Sequence, residues 1–412
     1  MPKSEAVAIL MPQNSDNIHL LYPTALDLQS LRNQKGLKPF CDEAVSFSDS
    51  LSKILMRNPR TRSMPDVATF AFFCRKANIL NLEKAYKNNR LRLGRGLVFH
   101  IAPSNVPVNF AYSLIAGVLS GNTNIVRVPS KDFEQVQIIA DSIRQVLSEN
   151  NAEQLFTKRI ALIRYDKSSH LTDTLSAICD IRVIWGGDQT IENIRKSPIP
   201  ARSFDVTFAD RYSICIIDAH QYLQNKNAEK TAEGFYNDTF LFDQNACSSP
   251  HLIIWRGKNQ TIKEAKRRFW NILHTFVIQK YRLADVWAVD KLTAFYAQSI
   301  GMDICLEPSE DNLIWRTEAK SLPDNIDNFR CKAGYFTEYS VTHLNEITPI
   351  INNKYQTLAY FGFDESELNN FISNNAPSGI DRIVPIGKTT DFAFIWDGYD
   401  LINSLTRIIS IK

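Results

Sequence analysis

Along much of the chain, short unbroken apolar runs alternate with stretches in which apolar positions recur every three or four residues. A run of the first kind has the length of a strand buried on both faces; the second pattern is one face of a helix. GLVFHIA (96–102), NIVRV (124–128), RIALIRY (159–165), IRVIWGG (181–187), FDVTF (204–208) and SICIID (213–218) are of the first kind. Residues 109–119, 133–150, 168–179 and 188–196 are of the second. A turn, PSNVP (103–107), separates the first of these strands from the first helix, and Gly121-Asn122 stands where a helix takes its C-terminal glycine cap. Repeated strand-helix alternation predicts a doubly wound parallel sheet, with ligands at the carboxyl ends of its strands. Ahead of it, AVAILM (6–11) reads as a strand, 51–58 as part of a short helix, and 65–90 as one helix.

After Ala219 the pattern starts again as a second domain. Residues 228–236 read as a helix. Then FLF (240–242) leads into DQNA, Cys247 and Ser248-Ser249-Pro250, and His251 opens the apolar run LIIW (252–255). This is a small polar loop between two expected buried strands, where a scaffold presents a reactive side chain. Helices are expected over 263–277, 290–300 and 366–375, and strands near 304–308, 313–317, 332–341 and 357–363. The domain limits drawn from this reading are 1–218, 219–378 and a closing segment 379–412 that contains RIVPIG, FIWDGYDLINSLTR and IISIK.

Composition narrows the class. With 412 residues, 44% hydrophobic and 22% charged, the chain is long enough for two or three domains. The net charge is +3 and no block of like charge stands out, so no nucleic-acid footprint is visible; KEAKRR (263–268) reads as a solvated helix face. The seven cysteines (Cys41, Cys74, Cys179, Cys215, Cys247, Cys305, Cys331) form no CxxC pair and no metal-ligand spacing with the seven histidines. That is reduced, cytoplasmic usage without a metal site. The first apolar run is too short for a signal peptide, and no window of about 20 apolar residues exists to span a membrane.

Several residues can carry chemistry. Cys247 is the candidate nucleophile, since a thiolate on a polar loop has room for an acyl group; a buried structural cysteine is the other reading. Asn105, on a turn stiffened by Pro103 and Pro107, can donate to a developing oxyanion; a turn asparagine bonding its own backbone is the alternative. Arg127, Ser130 and Lys131 follow a strand with two bases and no acid, which suits an anionic group such as a 2′-phosphate, or is plain surface charge. Trp185-Gly186-Gly187 runs into a helix, the arrangement of a phosphate cradle, although GxGxxG and GxxxxGK[ST] are both absent. His251 and Asn245 are supporting candidates. In extended chain, i and i+4 are more than about 10 Å apart, so His251 reads as structural unless the Ser248–Pro250 turn folds it back.

These residues in this order resemble the aldehyde dehydrogenase superfamily, and within it the LuxC branch of fatty acyl-CoA reductases from bacterial bioluminescence. IAPSNVPVNFAYSLIAGVLSGNTNIVRVPS (101–130) is similar to the superfamily's IxPWNFP…ALAxGNxVVxKPSE. NDTFLFDQNACSSPH (237–251) is similar to its FxxxGQxC, and residues 379–407 resemble the closing motif of the LuxC branch. Residues 1–90 match only loosely.

The resemblance implies two Rossmann-like three-layer α/β/α domains with a cleft between them. It implies Cys247 as the acyl-accepting nucleophile, Asn105 and the Cys247 N–H as the oxyanion donors, and Arg127 in the place of a cofactor-ribose lysine. Ser130 falls where NAD-preferring relatives carry a glutamate, which fits NADPH. Where the superfamily has ELGGK this chain has FADRYS (208–213), so the water-activating glutamate is missing, and the role of Asp210 stays open. Without that glutamate an acyl-enzyme would be reduced rather than hydrolysed. The implied activity is NADPH-dependent reduction of a fatty acyl-CoA or related acyl thioester to the aldehyde, beside an acyl-protein synthetase and in a homo-oligomer, with IISIK as an oligomerisation strand or else a core strand. Another activated acyl donor (acyl-protein, acyl phosphate), a non-catalytic partner, and a Cys-His hydrolase or acyltransferase are the alternatives.

Overall fold

The computed structural model describes residues 18–411 apart from 88–89, 150–151, 167 and 310. The strand expected over 6–11 lies outside them. The chain forms two compact units, one running to Ala209 and resuming at Tyr399, the other spanning Asp210–Gly398.

The strands of the first unit are β1 (His19–Tyr22), β2 (Arg92–Gly94), β3 (Leu97–Ile101), β4 (Thr123–Arg127), β5 (Ile160–Arg164), β6 (Ile181–Trp185) and β7 (Phe204–Phe208). Six of them build one sheet in the order β1-β5-β4-β3-β6-β7. All neighbours are parallel except β1, which lies antiparallel on the edge. The apolar runs form these strands because both faces are covered. Leu97, Phe99 and Ile101 point to the face carrying the helices Leu171–Ile178 and Asp188–Arg195. His100 points the other way, to the helix Asn109–Leu119. That helix is buried nearly all round, as its lack of a polar face demands. It ends at Gly121, whose φ of +79° and contact with the Leu37 carbonyl leave no space for a Cβ.

The polar groups in this core are bonded in series. The Trp185 indole N–H donates to Ser113 Oγ (3.0 Å), Ser113 Oγ meets His100 Nδ1 (2.7 Å), and His100 Nε2 meets Asn124 Oδ1 (3.1 Å). Asn124 Nδ2 then donates to the Asn122 carbonyl (3.0 Å). The series assigns the proton of a neutral ring to Nε2, and burial pulls the His100 pKa down to about 4.

The strands of the second unit are β8 (Tyr212–Asp218), β9 (Pro250–Arg256), β10 (Ile304–Leu306), β11 (Trp315–Ala319), β12 (Tyr335–Val341), β13 (Tyr355–Phe361) and β14 (Arg382–Pro385). Their order is β10-β11-β12-β9-β8-β13-β14, parallel apart from the β10–β11 pair. The period of two is visible in the packing. Cys215, Ile217, Ile253 and Trp255 join one core with the helices Ala228–Thr239 and Asn259–Lys280. Ile214, Ile216, Leu252 and Ile254 join the other, under the helix Glu365–Asn375. Each unit is therefore a three-layer α/β/α body.

The structure departs from the sequence reading in three places. The helix expected over 65–90 is broken into Pro65–Phe73, Lys76–Glu83 and a 3-10 turn. The Asp49 carboxylate accepts from the Lys76 N–H (2.9 Å) and the Asn78 amide donates to the Phe73 carbonyl (2.8 Å), so capping groups stop it where no glycine or proline does. The run before Cys247 is not a strand but a 3-10 turn, Phe240–Phe242, at the end of a helix. The Gln244 N–H closes back on the Thr239 carbonyl (2.7 Å). The boundary between the units falls before β8 rather than after it, and the chain returns at Tyr399 rather than at 379. Strand-helix alternation does not say which sheet an apolar strand will join. The strand Thr406–Ile408 pairs antiparallel with β2, and Ile408 and Ile411 are exposed. Among the described residues no helix is long and apolar enough to cross a membrane.

Candidate active site

In the second sheet β8 is flanked by β9, then β12 and β11, on one side and by β13 on the other. Cys247 precedes β9, so it stands at the amino edge of this sheet. What holds it there is a set of local and cross-strand bonds. Asp243 and Gln244 take the left-handed conformation, with φ of +52° and +58°. Each costs roughly 1–2 kcal/mol for a residue with a Cβ, so something must hold them. Asp243 Oδ1 accepts from the Tyr281 hydroxyl (2.9 Å). The buried Gln244 amide donates to the Pro250 and Tyr335 carbonyls (2.9 and 3.0 Å) and accepts from the Gly334 and Tyr335 N–H groups (2.9 and 3.1 Å). Ser249 Oγ donates to the Asp238 carbonyl (2.7 Å), and Ser213 Oγ on β8 donates to the carbonyl of Cys247 itself (2.7 Å).

Cys247 is exposed. Its Sγ accepts from Gln356 Nε2 on β13 (3.4 Å), and the same nitrogen donates to Asp397 Oδ1. Although the residue is exposed, the protein packed around the thiol and then the Asp397 carboxylate push its pKa up to about 12; the Gln356 amide, Arg382 and Arg211 oppose this. Among the described residues the Cys247 N–H has no acceptor. Asn245 is exposed and its amide turns back to the Asp243 carbonyl (3.3 Å).

His251 opens β9, buried with its ring stacked on Tyr212 (5.8 Å between centroids), and its Nδ1 has no hydrogen-bond partner among the described residues. Burial and the Arg330 charge pull its pKa down to about 3. The ring is neutral and packed on Tyr212, and among the described residues it makes no bond to Cys247. Asp210 forms a two-pronged pair with Arg330 (2.7 and 2.6 Å).

In the first sheet the switch point lies between β3 and β6, because β3, β4 and β5 progress one way and β6 and β7 the other. Ligands of open parallel sheets sit at the carboxyl ends there. Asn105 follows β3; its side chain is exposed and, among the described residues, makes no bond to its own turn. The helices Asn109–Leu119 and Asp188–Arg195 start beside this edge without a side-chain cap. A helix N-terminus favours an anion, although Asp188 in the first turn of the second opposes one. Gly187 leads into that helix with open space where a Cβ would stand. The Trp185 side chain, by contrast, is core: it stacks on Phe208 at 3.6 Å between centroids, and its N–H is taken by Ser113. Arg127 ends β4 with Nη2 on the Tyr165 carbonyl (3.1 Å) and its guanidinium over the Tyr165 ring (4.6 Å). Ser130 and Lys131 beyond it are exposed, Lys131 lying over Phe133.

Sequence reasoning missed Ser213, Gln244, Gln356, Asp397 and Arg382. Gln244 lies three residues before the cysteine, within the polar stretch DQNA. Gln356 had one weak signal, a glutamine inside the apolar run YQTLAYF.

A family model described as acyl-CoA reductase (LuxC) matches residues 72–279. The long-chain acyl-protein thioester reductase of Vibrio harveyi is 23% identical over 319 residues, which are 76% of this chain and 63% of that protein. The one from Aliivibrio fischeri is 23% identical over 323 residues, with 76% and 63% covered. The chain thus spans 63% of the length of these relatives. Among solved structures, 1-pyrroline-5-carboxylate dehydrogenase from Thermus thermophilus superposes with a TM-score of 0.61 at 11% identity, covering 92% of this chain and 82% of that one. Aldehyde dehydrogenase 21 from Physcomitrella patens gives 0.63 at 10% identity, covering 89% and 85%. The fold is that of the aldehyde dehydrogenases.

Proposed function

The chain belongs to the acyl-CoA reductase (LuxC) family, and from that premise we propose that it reduces a fatty acyl thioester to the aldehyde through a thioester on Cys247, with NADPH as the hydride donor. The observation that carries this reading is the Cys247 loop. An exposed cysteine is held by bonds to its own carbonyl and to its sulfur, with its N–H left free. A structural cysteine needs none of these.

In the proposed sequence the Cys247 thiolate attacks the acyl carbonyl carbon. The carbon–sulfur bond to the carrier breaks, and the carrier thiol leaves with a proton. The free Cys247 N–H and Asn105 are the proposed donors to the developing oxyanion. A nicotinamide cofactor supplies, when bound, the hydride that reduces the acyl carbon. Cys247 then departs as thiolate and the aldehyde is released. Overall, one thioester, one reduced nicotinamide and one proton give an aldehyde, a free thiol and an oxidised nicotinamide.

The two uncapped helix N-termini and Gly187 at the switch point of the first sheet fit a dinucleotide diphosphate. Arg127, Ser130 and Lys131 would hold a 2′-phosphate. Asp210, the carboxylate within FADRYS, is engaged by Arg330, which supports reduction over hydrolysis. The neutral His251, packed on Tyr212, disfavours a Cys-His hydrolase. The names of the curated relatives favour a protein-borne acyl chain, and the family description favours acyl-CoA. An acyl-activating enzyme is the partner this reading implies.

The test is loss of NADPH absorbance with long-chain acyl-CoA, acyl-protein and acyl phosphate in parallel, repeated with NADH. Cys247→Ala is expected to abolish turnover and acyl labelling of the protein. Turnover at the parent rate in Cys247→Ala would remove the nucleophile.

A further inference from the structure

Gln356 is out of character for its strand. β13 is buried from Tyr355 to Ala359, and Gln356 is wholly inaccessible there. A buried amide is retained at a cost unless each of its polar atoms is bonded. All of them are. One N–H is directed at Cys247 Sγ (3.4 Å) and the other at Asp397 Oδ1, while Oε1 accepts from the Thr357 hydroxyl (3.3 Å). The partners also decide which way round the amide lies. A carboxylate can only accept, so Asp397 requires the nitrogen on its side, and a hydroxyl donor on the other side suits the oxygen. With the amide in that orientation, the sulfur of Cys247 meets an N–H and not a carbonyl oxygen. An N–H facing sulfur favours the thiolate over the thiol, because the charged form is the better acceptor.

We propose that Gln356 positions the Cys247 sulfur and stabilises its thiolate, and that Asp397 is the positioning residue that holds the Gln356 amide with its N–H toward the sulfur. The proposal rests on Cys247 as nucleophile and adds what makes the nucleophile usable. Asp397 itself is buried, lies at a φ of +51°, and precedes Gly398 at +73°, so its place is set by an unusual backbone turn. The charges around the sulfur are Asp397, Arg382 and Arg211, with Arg211 in turn paired to Asp381. Asp397 therefore has two opposed effects on Cys247. Its charge disfavours the thiolate directly, and its hold on Gln356 favours it.

The measurement is the pH dependence of Cys247 alkylation by iodoacetamide in the intact protein, read by peptide mass spectrometry so that Cys41, Cys305 and Cys331 do not interfere. Gln356→Leu is expected to slow Cys247 alkylation at pH 8 about tenfold, as one unit of thiol pKa implies. Gln356→Glu keeps the shape and places a second carboxylate by the sulfur, so it is expected to slow alkylation at least as much. Asp397→Asn removes the charge and is expected to move the profile to lower pH. A merely structural role would change melting and leave the Gln356→Leu profile at the parent position; that outcome overturns the proposal. If Gln356→Leu does not fold, the uncharged and flexible Gln356→Met decides by the same reading. Turnover retained in Cys247→Ala would instead sink the nucleophile reading, and the alkylation profiles would still stand on their own.

Discussion

The Ser213 hydroxyl donates to the Cys247 carbonyl at 2.7 Å, so the loop that leads into β9 is fastened to the neighbouring strand β8. The same oxygen accepts from the Thr357 N–H on β13 at 3.2 Å. One small side chain thus ties Cys247 to β8 and to β13, the strand that carries Gln356. Ser213→Ala leaves a carbonyl and an N–H unpaired, at about 1–3 kcal/mol. The expected outcome is melting lowered by a few degrees and single-turnover acylation slowed about tenfold or more. Unchanged acylation would mean that the loop holds its shape without β8.

Gln244 is the other fastening. Its amide makes four bonds, to Pro250, Gly334 and Tyr335, and it sits in the left-handed region next to Asp243. Gln244→Ala removes all four at a fully packed position and is expected to cost about 3–5 kcal/mol, read as a lower urea midpoint. Gln244→Glu should be no better, because a carboxylate would face two carbonyl oxygens. A cost under about 1 kcal/mol in either variant would contradict this account.

His100 predicts a pH dependence of stability. Its ordinary pKa of 6.5 is lowered to about 4 in the fold, so below about pH 6.5 the unfolded chain takes up a proton that the folded chain refuses. Stability is therefore present in full above about pH 6.5 and falls as the pH drops toward 4, by something of the order of 3 kcal/mol from this group. His251 acts in the same direction. Asp238, raised by burial to about 7, and Asp397, raised by burial to about 6, act in the opposite one. The comparison of His100→Gln with its parent isolates the one group. The variant is expected to be less stable at pH 7 but to lose less on going to pH 5, measured by urea midpoints at both. An equal loss in the two proteins would show that His100 does not titrate this way.

Gly387 carries a fourth prediction. Its φ is +91°, a Cβ there would lie 3.0 Å from the Gly234 Cα, and its N–H donates to the buried Asp238 carboxylate at 2.6 Å. Gly387→Ala is expected to destabilise the second unit by about 2 kcal/mol through backbone strain and this close approach. Thermal melting checks it, and an alanine tolerated without loss would mean that the helix and the 386–389 turn can part.

The parts of the molecule that could be read in advance are those where local pattern and tertiary role coincide. LVFHI, IALIR and IRVIW are strands because an unbroken apolar run of that length must be covered on both sides, and they are. Gly121 caps a helix because the next turn needs a positive φ. The helix over 65–90 was misread because its break is made by Asp49 and Asn78 through hydrogen bonds that leave no mark on local composition. The run FLF before Cys247 was misread because three apolar residues do not separate a period of two from a tighter turn.

The sequence by itself determined that the chain alternates apolar strands with amphipathic helices, that Cys247 stands on a polar loop ahead of a buried strand, and that Asn105 and Gly186-Gly187 follow strands of a parallel sheet. These are properties of residues close together in the chain, where periodicity and turn chemistry act. Only the tertiary structure decided that β8 belongs to the second sheet, that His251 turns to Tyr212, and that Gln356, 109 residues from Cys247, puts an N–H on its sulfur. The reason is physical. A strand's neighbours are chosen by how whole faces pack, and a hydrogen bond across strands depends on register, which no local stretch of sequence encodes.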